Sequence, residues 1–409
     1  MRRSYIALTA ATAGVLVVSA CGGNSSNGSS GSGSTGGTIV IGATLSLTGS
    51  LSALGAPVKA GYEQEIADVN AAGGVRVDGK DDKLKLIVLD NASNPSTASD
   101  QARELVRQDH AVALLGFTTQ QIVTPTAIEA EQLQIPLVTS LMPVEAFASA
   151  NKDGWKYSWD FFFDEKQQAA TVAKALTGVQ SNKKVVLFTD NEPDNVVERP
   201  FYEAAFRAAG LDVVGDYVFP AGTTNYSSFL ASARAKGAQL LAGQLTPADG
   251  LALWKRVKSS DFHPRAAFLA SASDAASWWK SLGTSAQDTL AEGFWSPSEA
   301  TAAQLARIRP TLGKKYADSP DYPPAAVAYA VAEVLTDAIS RAASTAPSKL
   351  NAAIGQSHVQ TTAGLIAFKP STHTGVTPYY ITQWQNGKLV QVQPPVSGIT
   401  FQQPTAGLG

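Results

Sequence analysis

The sequence predicts an α/β protein of two lobes, each a mostly parallel sheet flanked by helices, with a ligand cleft between them. Three observations predict it. Short β-branched runs alternate with longer helical patterns, the alternation restarts after an aromatic stretch at 155–163, and 409 residues suffice for two domains of ordinary size. Residues 38–43 (TIVIGA) read as the first buried strand, and 56–71 as an amphipathic helix stopped by Gly73 and Gly74. Residues 84–89 (LKLIVL) form the next strand, Pro95 opens a helix to about Gln108, and 111–115 is a strand. A helix over 121–133 and a strand over 135–139 follow. In the second lobe 184–188, 211–219, 239–242 and 267–269 read as strands, with helices near 200–209, 227–235 and 248–258. In open parallel sheets ligands sit beyond the carboxyl ends of the strands, so the loops after these strands are expected to line the cleft.

The N-terminus carries Arg2 and Arg3, then a largely apolar stretch over 6–18 ending in Val18-Ser19-Ala20-Cys21. This is the layout of a secretory signal peptide (1–20), too short for a stable membrane span. Its end resembles the bacterial lipobox, in which Cys21, the only cysteine, is acylated and becomes the new N-terminus. Two or more acyl chains hold a protein on a membrane durably. Residues 22–37 contain only Gly, Ser, Asn and Thr and read, with Cys21, as a lipidated tether (21–37) with a span of about 20–24 Å. The G-x-G-x-x-G at 31–36 has no strand before it and no helix after it, so it is compositional.

Composition excludes several functions. Lys+Arg 32 against Asp+Glu 34 offers no basic surplus for nucleic acid. A single cysteine rules out internal disulfides. His110, His263, His358 and His373 are scattered without H-E-x-x-H or helical pairing, so no metal or other cofactor is expected. Two S-x-x-K matches, at Ser277 and Ser181, lack the accompanying S-D-N and K-T-G, and no G-x-S-x-G occurs; an enzyme is not expected.

Residues 39–42 (IVIG), Leu47-Thr48-Gly49, Leu54-Gly55, Gly61 and 68–75 (DVNAAGGV) resemble the opening of the type I periplasmic binding proteins, in the branched-chain amino acid (leucine-binding) branch of ABC-importer receptors. The likeness continues through Leu89-Asp90-Asn91, Asn94-Pro95, 115–119 (LGFTT), 135–140 (IPLVTS), 222–226 (GTTNY), 291–294 (AEGF), 325–329 and 387–390. The resemblance implies two lobes with three hinge crossings, near 157–163, 293–297 and 364–368. Lobe 1 is then 38–160 plus 296–363, and lobe 2 is 161–295 plus 364–409. It also implies a monomer that closes on a small-molecule ligand and serves an ABC permease, or, alternatively, a sensor signalling through a membrane partner.

By the same resemblance the ligand set is Leu54, Thr118, Thr119, Gln120, Leu141, Met142, Gln244 and Asp274, and Trp295 joins it as an aromatic directly after a strand at the expected cleft. Departures from the family pattern are evident. Of the paired hydroxyls that grip a carboxylate only Thr119 remains, beside Gln120; Pro143 replaces a threonine, and Gln244 replaces a tyrosine. Asp274 is the acidic group that would meet an ammonium. Two readings stand for several of these residues: Thr118 and Thr119 fit a helix N-cap as well as a ligand, and Trp295 fits packing as well as ligand contact. Amino-acid-like compounds, amides and aromatic carboxylates are the expected ligands.

Overall fold

The computed structural model describes residues 35–116, 119–317, 319–404 and 407–408. The signal segment, Cys21, tether residues 22–34 and Thr118 lie outside them. The chain opens with β1 (Thr35–Leu45), α1 (Ser52–Ala71), β2 (Val75–Val77), β3 (Lys80–Asp90), α2 (Pro95–Arg107), β4 (Ala113–Leu115), α3 (Gln120–Leu133), β5 (Leu137–Ser140), α4 (Val144–Ser149) and β6 (Ser158–Phe162). It continues with α5 (Glu165–Gly178), β7 (Lys184–Asp190), α6 (Pro193–Ala208), β8 (Asp212–Phe219), α7 (Ser227–Ala235), β9 (Leu240–Gln244), α8 (Pro247–Lys258), β10 (Ala266–Ala270), α9 (Ala276–Leu282) and β11 (Leu290–Gly293). Then come α10 (Ala302–Ile308), α11 (Lys314–Tyr316), α12 (Tyr322–Ala342), α13 (Pro347–Gly355), the hairpin β12 (His358–Thr361) and β13 (Gly364–Ala367), and β14 (Thr374–Val376). Finally β15 (Tyr380–Gln385) and β16 (Lys388–Gln393) pair antiparallel.

Two seven-stranded sheets result, ordered β14-β6-β5-β4-β1-β3-β2 and β16-β15-β11-β10-β9-β7-β8. Pairing is parallel except at β2 in the first and at β15 and β16 in the second. Strand β1 begins at Thr35, inside the stretch read as tether, because pairing with Asp81 draws the backbone into the ladder despite a flexible composition. The chain leaves the first sheet after Phe162 and returns after Gly293. Its third crossing falls between Val376 and Tyr380, later than the expected 364–368. That segment is instead part of the β12–β13 hairpin, whose Ile366, with the following Phe368, is buried in the lobe-1 core.

Helix α12 runs through the lobe-1 core, buried from Pro324 through Thr336. It packs on α1 at Gly61, where a Cβ would collide with the backbone of Ala325 and Tyr329. Lobe 2 buries one cluster around Phe268 and Tyr202 and another around Trp254 and Trp278. Leu141 and Phe294 pack against both the lobe-1 core and the Phe268 cluster, so the crossings are apolar where they pass between sheets.

Candidate functional site

On the lobe-1 side, β4 ends at Leu115 and α3 starts at Gln120. Gly116 between them leaves no room for a side chain against Thr139, and its carbonyl accepts the Tyr62 hydroxyl. Thr119 occupies the N-cap position with extended backbone yet makes no side-chain cap bond. Its Oγ1 is enclosed without a hydrogen-bond partner, as is Oε1 of Gln120. The Gln120 backbone N–H donates to both carboxylate oxygens of Asp194, each at 3.2 Å. Asp194 lies in the first turn of α6, so the contact joins the N-terminal ends of two helices from different lobes. Burial nevertheless raises its carboxyl to about 7. Leu141, directly after β5, holds φ 65, a left-handed backbone that costs energy for a bulky residue and that marks sites fixed by their surroundings.

At the hinge, Glu165 accepts N–H bonds from Glu145 at 2.9 Å and Ala146 at 2.7 Å, the first turn of α4. Burial pushes this carboxyl up to about 7 as well. Asp160 is fully buried on β6 with neither oxygen hydrogen-bonded, and burial together with Glu165 holds it far above the usual carboxylate range.

In lobe 2 the polar groups gather at the carboxyl ends of β7, β9, β10 and β11, where an open α/β sheet presents its ligand loops. Gln244 is 0% exposed and lies beside the Tyr202 hydroxyl, and neither amide atom makes a hydrogen bond of normal geometry. Glu292 accepts the Ser271 N–H at 2.6 Å and the Gln168 amide at 3.4 Å. Asp274 leaves Oδ1 enclosed and unpartnered, its carboxyl raised by burial and by Glu292. Glu198 is buried too; desolvation, then Glu292, Glu165 and Asp194, hold it well above the ordinary range. The hydroxyls of Tyr202 and Tyr379 face Glu198 and Glu292 without a hydrogen bond of normal geometry. Among the described residues, no cluster of His, Cys, Asp and Glu could hold a metal ion, and no helix is long and apolar enough to cross a membrane.

A sequence model of the periplasmic binding protein family matches residues 38–388 of this chain. The chain belongs to that family. Leu/Ile/Val-binding protein homolog 3 of Brucella melitensis is 24% identical over 87% of this chain and 94% of its own length. The branched-chain amino acid transporter substrate-binding protein LivJ of Streptococcus pneumoniae, solved in complex with isoleucine, superposes with a TM-score of 0.71 at 21% identity, over 87% of this chain and 99% of its own. An R. palustris solute-binding protein of an ABC transporter, in complex with 4-hydroxybenzoate, gives 0.71 at 19% identity, over 90% and 98%. The two-lobed α/β architecture is therefore that of the type I periplasmic binding proteins.

In this periplasmic binding protein the residues expected from the sequence divide into two groups. Thr119, Gln120, Gln244 and Asp274 each present an enclosed, unpartnered polar atom at a strand or helix end. Others are committed to packing. Trp295 donates its indole N–H to the Thr362 carbonyl at 2.8 Å, packs at a tilt on Tyr322 with ring centroids 4.8 Å apart, and belongs to the lobe-1 core. Packing and ligand contact were both open for this ring, and it follows the chain back into lobe 1. Met142 is fully buried with Val123, Phe147 and Trp155, and Leu54 packs on the lobe-1 core. Leu141 packs between the lobes.

Glu198, Tyr202, Glu292, Gln168 and Tyr379 were not expected. A signal was available for two of them: Asp194, Glu198 and Tyr202 repeat every four residues and so share one face of α6.

Proposed function

We propose that this chain is an extracytoplasmic solute-binding lipoprotein, held to the cell membrane through acylated Cys21, that captures a small polar ligand by closure of its lobes and delivers it to an ABC permease. The reading rests above all on one observation. Thr119 and Gln120 from lobe 1 and Gln244 and Asp274 from lobe 2 bring enclosed polar atoms without protein partners to the ends of both sheets. Buried polar groups are ordinarily hydrogen-bonded, so such atoms on two facing lobes suit a ligand that bonds to both. Differential contacts with the closed arrangement would then shift the lobes toward it, and a permease would recognise that form. The protein acts as a monomer, without cofactor and without turnover of its ligand. Amino-acid-like compounds, amides and aromatic carboxylates remain the starting classes.

Small-angle scattering of the purified chain, with and without a panel that includes isoleucine, benzamide, agmatine and 4-hydroxybenzoate, tests capture. A saturable contraction, with the compound recovered unchanged, is the expected result; no contraction with any class counts against the reading. Palmitate labelling of the wild type and of Cys21→Ser tests the anchor, and label retained by the variant would remove it. A ligand that binds but is not taken up by cells carrying the neighbouring permease would favour a sensor.

A further inference from the structure

We propose that the ligand is a nitrogen-rich organic cation lacking a carboxylate, a guanidinium or diamine compound, whose positive end is held by Glu198, Glu292 and Asp274 of lobe 2. This rests on the solute-binding reading above and names its ligand class.

Several carboxyls gather in lobe 2 among neutral polar side chains. Glu198 lies within electrostatic reach of Glu292 on β11, Glu165 on α5 and Asp194 on its own helix, and Asp274, in the loop after β10, within reach of Glu292. Among the described residues, none of these five carboxyls has an ion-pair partner. A second observation is independent of their charge. Gln244, Tyr202 and Tyr379 are each at most 3% exposed; the two tyrosines lie near Glu198 and Glu292 and Gln244 lies near Tyr202, and their polar atoms make no hydrogen bond of normal geometry. Once these carboxyls give up their protons, carboxylate and amide oxygens outnumber donors here, so a ligand bearing several N–H groups satisfies the set and an anion does not.

The opposite wall supplies the second half of the argument. A helix N-terminus is a ready anion site. At α3 the chain fills it with its own carboxylate, since Gln120 N–H donates to Asp194. A ligand carboxylate would have to displace that group, whereas an amine or guanidine without one leaves it in place.

Burial disfavours the charged form of these carboxyls. An arriving cation replaces protons, so its binding releases them to solvent.

Calorimetry on the purified full chain near pH 7, in two buffers of different ionisation enthalpy, tests this with agmatine and putrescine against arginine, isoleucine and 4-hydroxybenzoate. The expected result is saturable binding of agmatine or putrescine, about tenfold or more tighter than arginine, with heats that differ between buffers in the sense of proton release. Glu198→Gln, whose melting temperature checks its fold, is expected to weaken that binding about tenfold or more and to reduce the proton release. Failure of both cations to bind overturns the proposal, as does cation binding with equal heats in the two buffers and no effect of Glu198→Gln. Binding of isoleucine or 4-hydroxybenzoate without either cation overturns the charge assignment and leaves the solute-binding reading standing. Silence from every compound counts against both.

Discussion

Gln120 of lobe 1 donates its backbone N–H to the carboxylate of Asp194 of lobe 2, at 3.2 Å to each oxygen. The bond places a negative group on the positive end of α3, the favourable sense for a helix dipole. Apolar contact backs it: Val197, one turn further along α6, packs on the cluster of Val123, Met142 and Phe147 in lobe 1. The two lobes are therefore held together by a polar latch with an apolar base.

Asp194→Ala removes the latch while leaving the apolar base. A hydrogen bond to a charged group contributes about 1.5–3 kcal/mol, so the ligand-free chain is expected to open, seen as a larger radius of gyration in small-angle scattering. An unchanged radius would place closure on the Val197 contact instead.

Stability should fall as pH rises from about 5 to 7.5. Burial raises the Asp194 and Glu165 carboxyls to about 7, above their usual unfolded values near 4. Between these limits the folded chain holds protons that the unfolded chain has lost. The resulting stabilisation is fully present below about pH 4 and is lost as pH climbs through 7. Melting temperature against pH checks this, and Glu165→Gln should flatten the slope; a slope of the opposite sign would contradict it.

Gly61→Ala should destabilise lobe 1 by about 1–3 kcal/mol, the usual cost of overpacking. The added Cβ meets the Ala325 carbonyl and the Tyr329 amide, both backbone, so no side chain can swing aside. Denaturant titration reads the loss, and an unchanged midpoint would mean that α1 and α12 slide apart freely.

Trp295→Phe keeps the ring against Tyr322 but leaves the buried Thr362 carbonyl without its donor. A loss of about 1–3 kcal/mol in stability is expected, with ligand affinity unchanged within about twofold. Normal stability with collapsed affinity would return Trp295 to the cleft.

Much of the fold was legible because burial writes itself into local composition. Residues 84–89 and 239–242 are apolar runs of strand length, and they fall within or across β3 and β9. Thr119, Gln120, Gln244 and Asp274 were singled out by the family resemblance, and each has an enclosed polar atom without a hydrogen bond of normal geometry. The third crossing was not legible. Residues 364–368 form one half of a hairpin, and nothing local says which sheet a short strand will cover. Trp295 escaped likewise, because its partner Thr362 lies far along the chain.

By itself the sequence determined the alternating strand and helix pattern and its division into two lobes. These depend on periodicity and on neighbours a few residues away. Only the tertiary structure decided which carboxyls stand together. Glu198 belongs to a helix, Glu292 to a strand and Asp274 to a loop, and their shared burial, with the changed protonation that follows, arises when the second sheet and α6 are packed face to face. Desolvation and Coulomb repulsion act through space, so no reading along the chain could have assigned them.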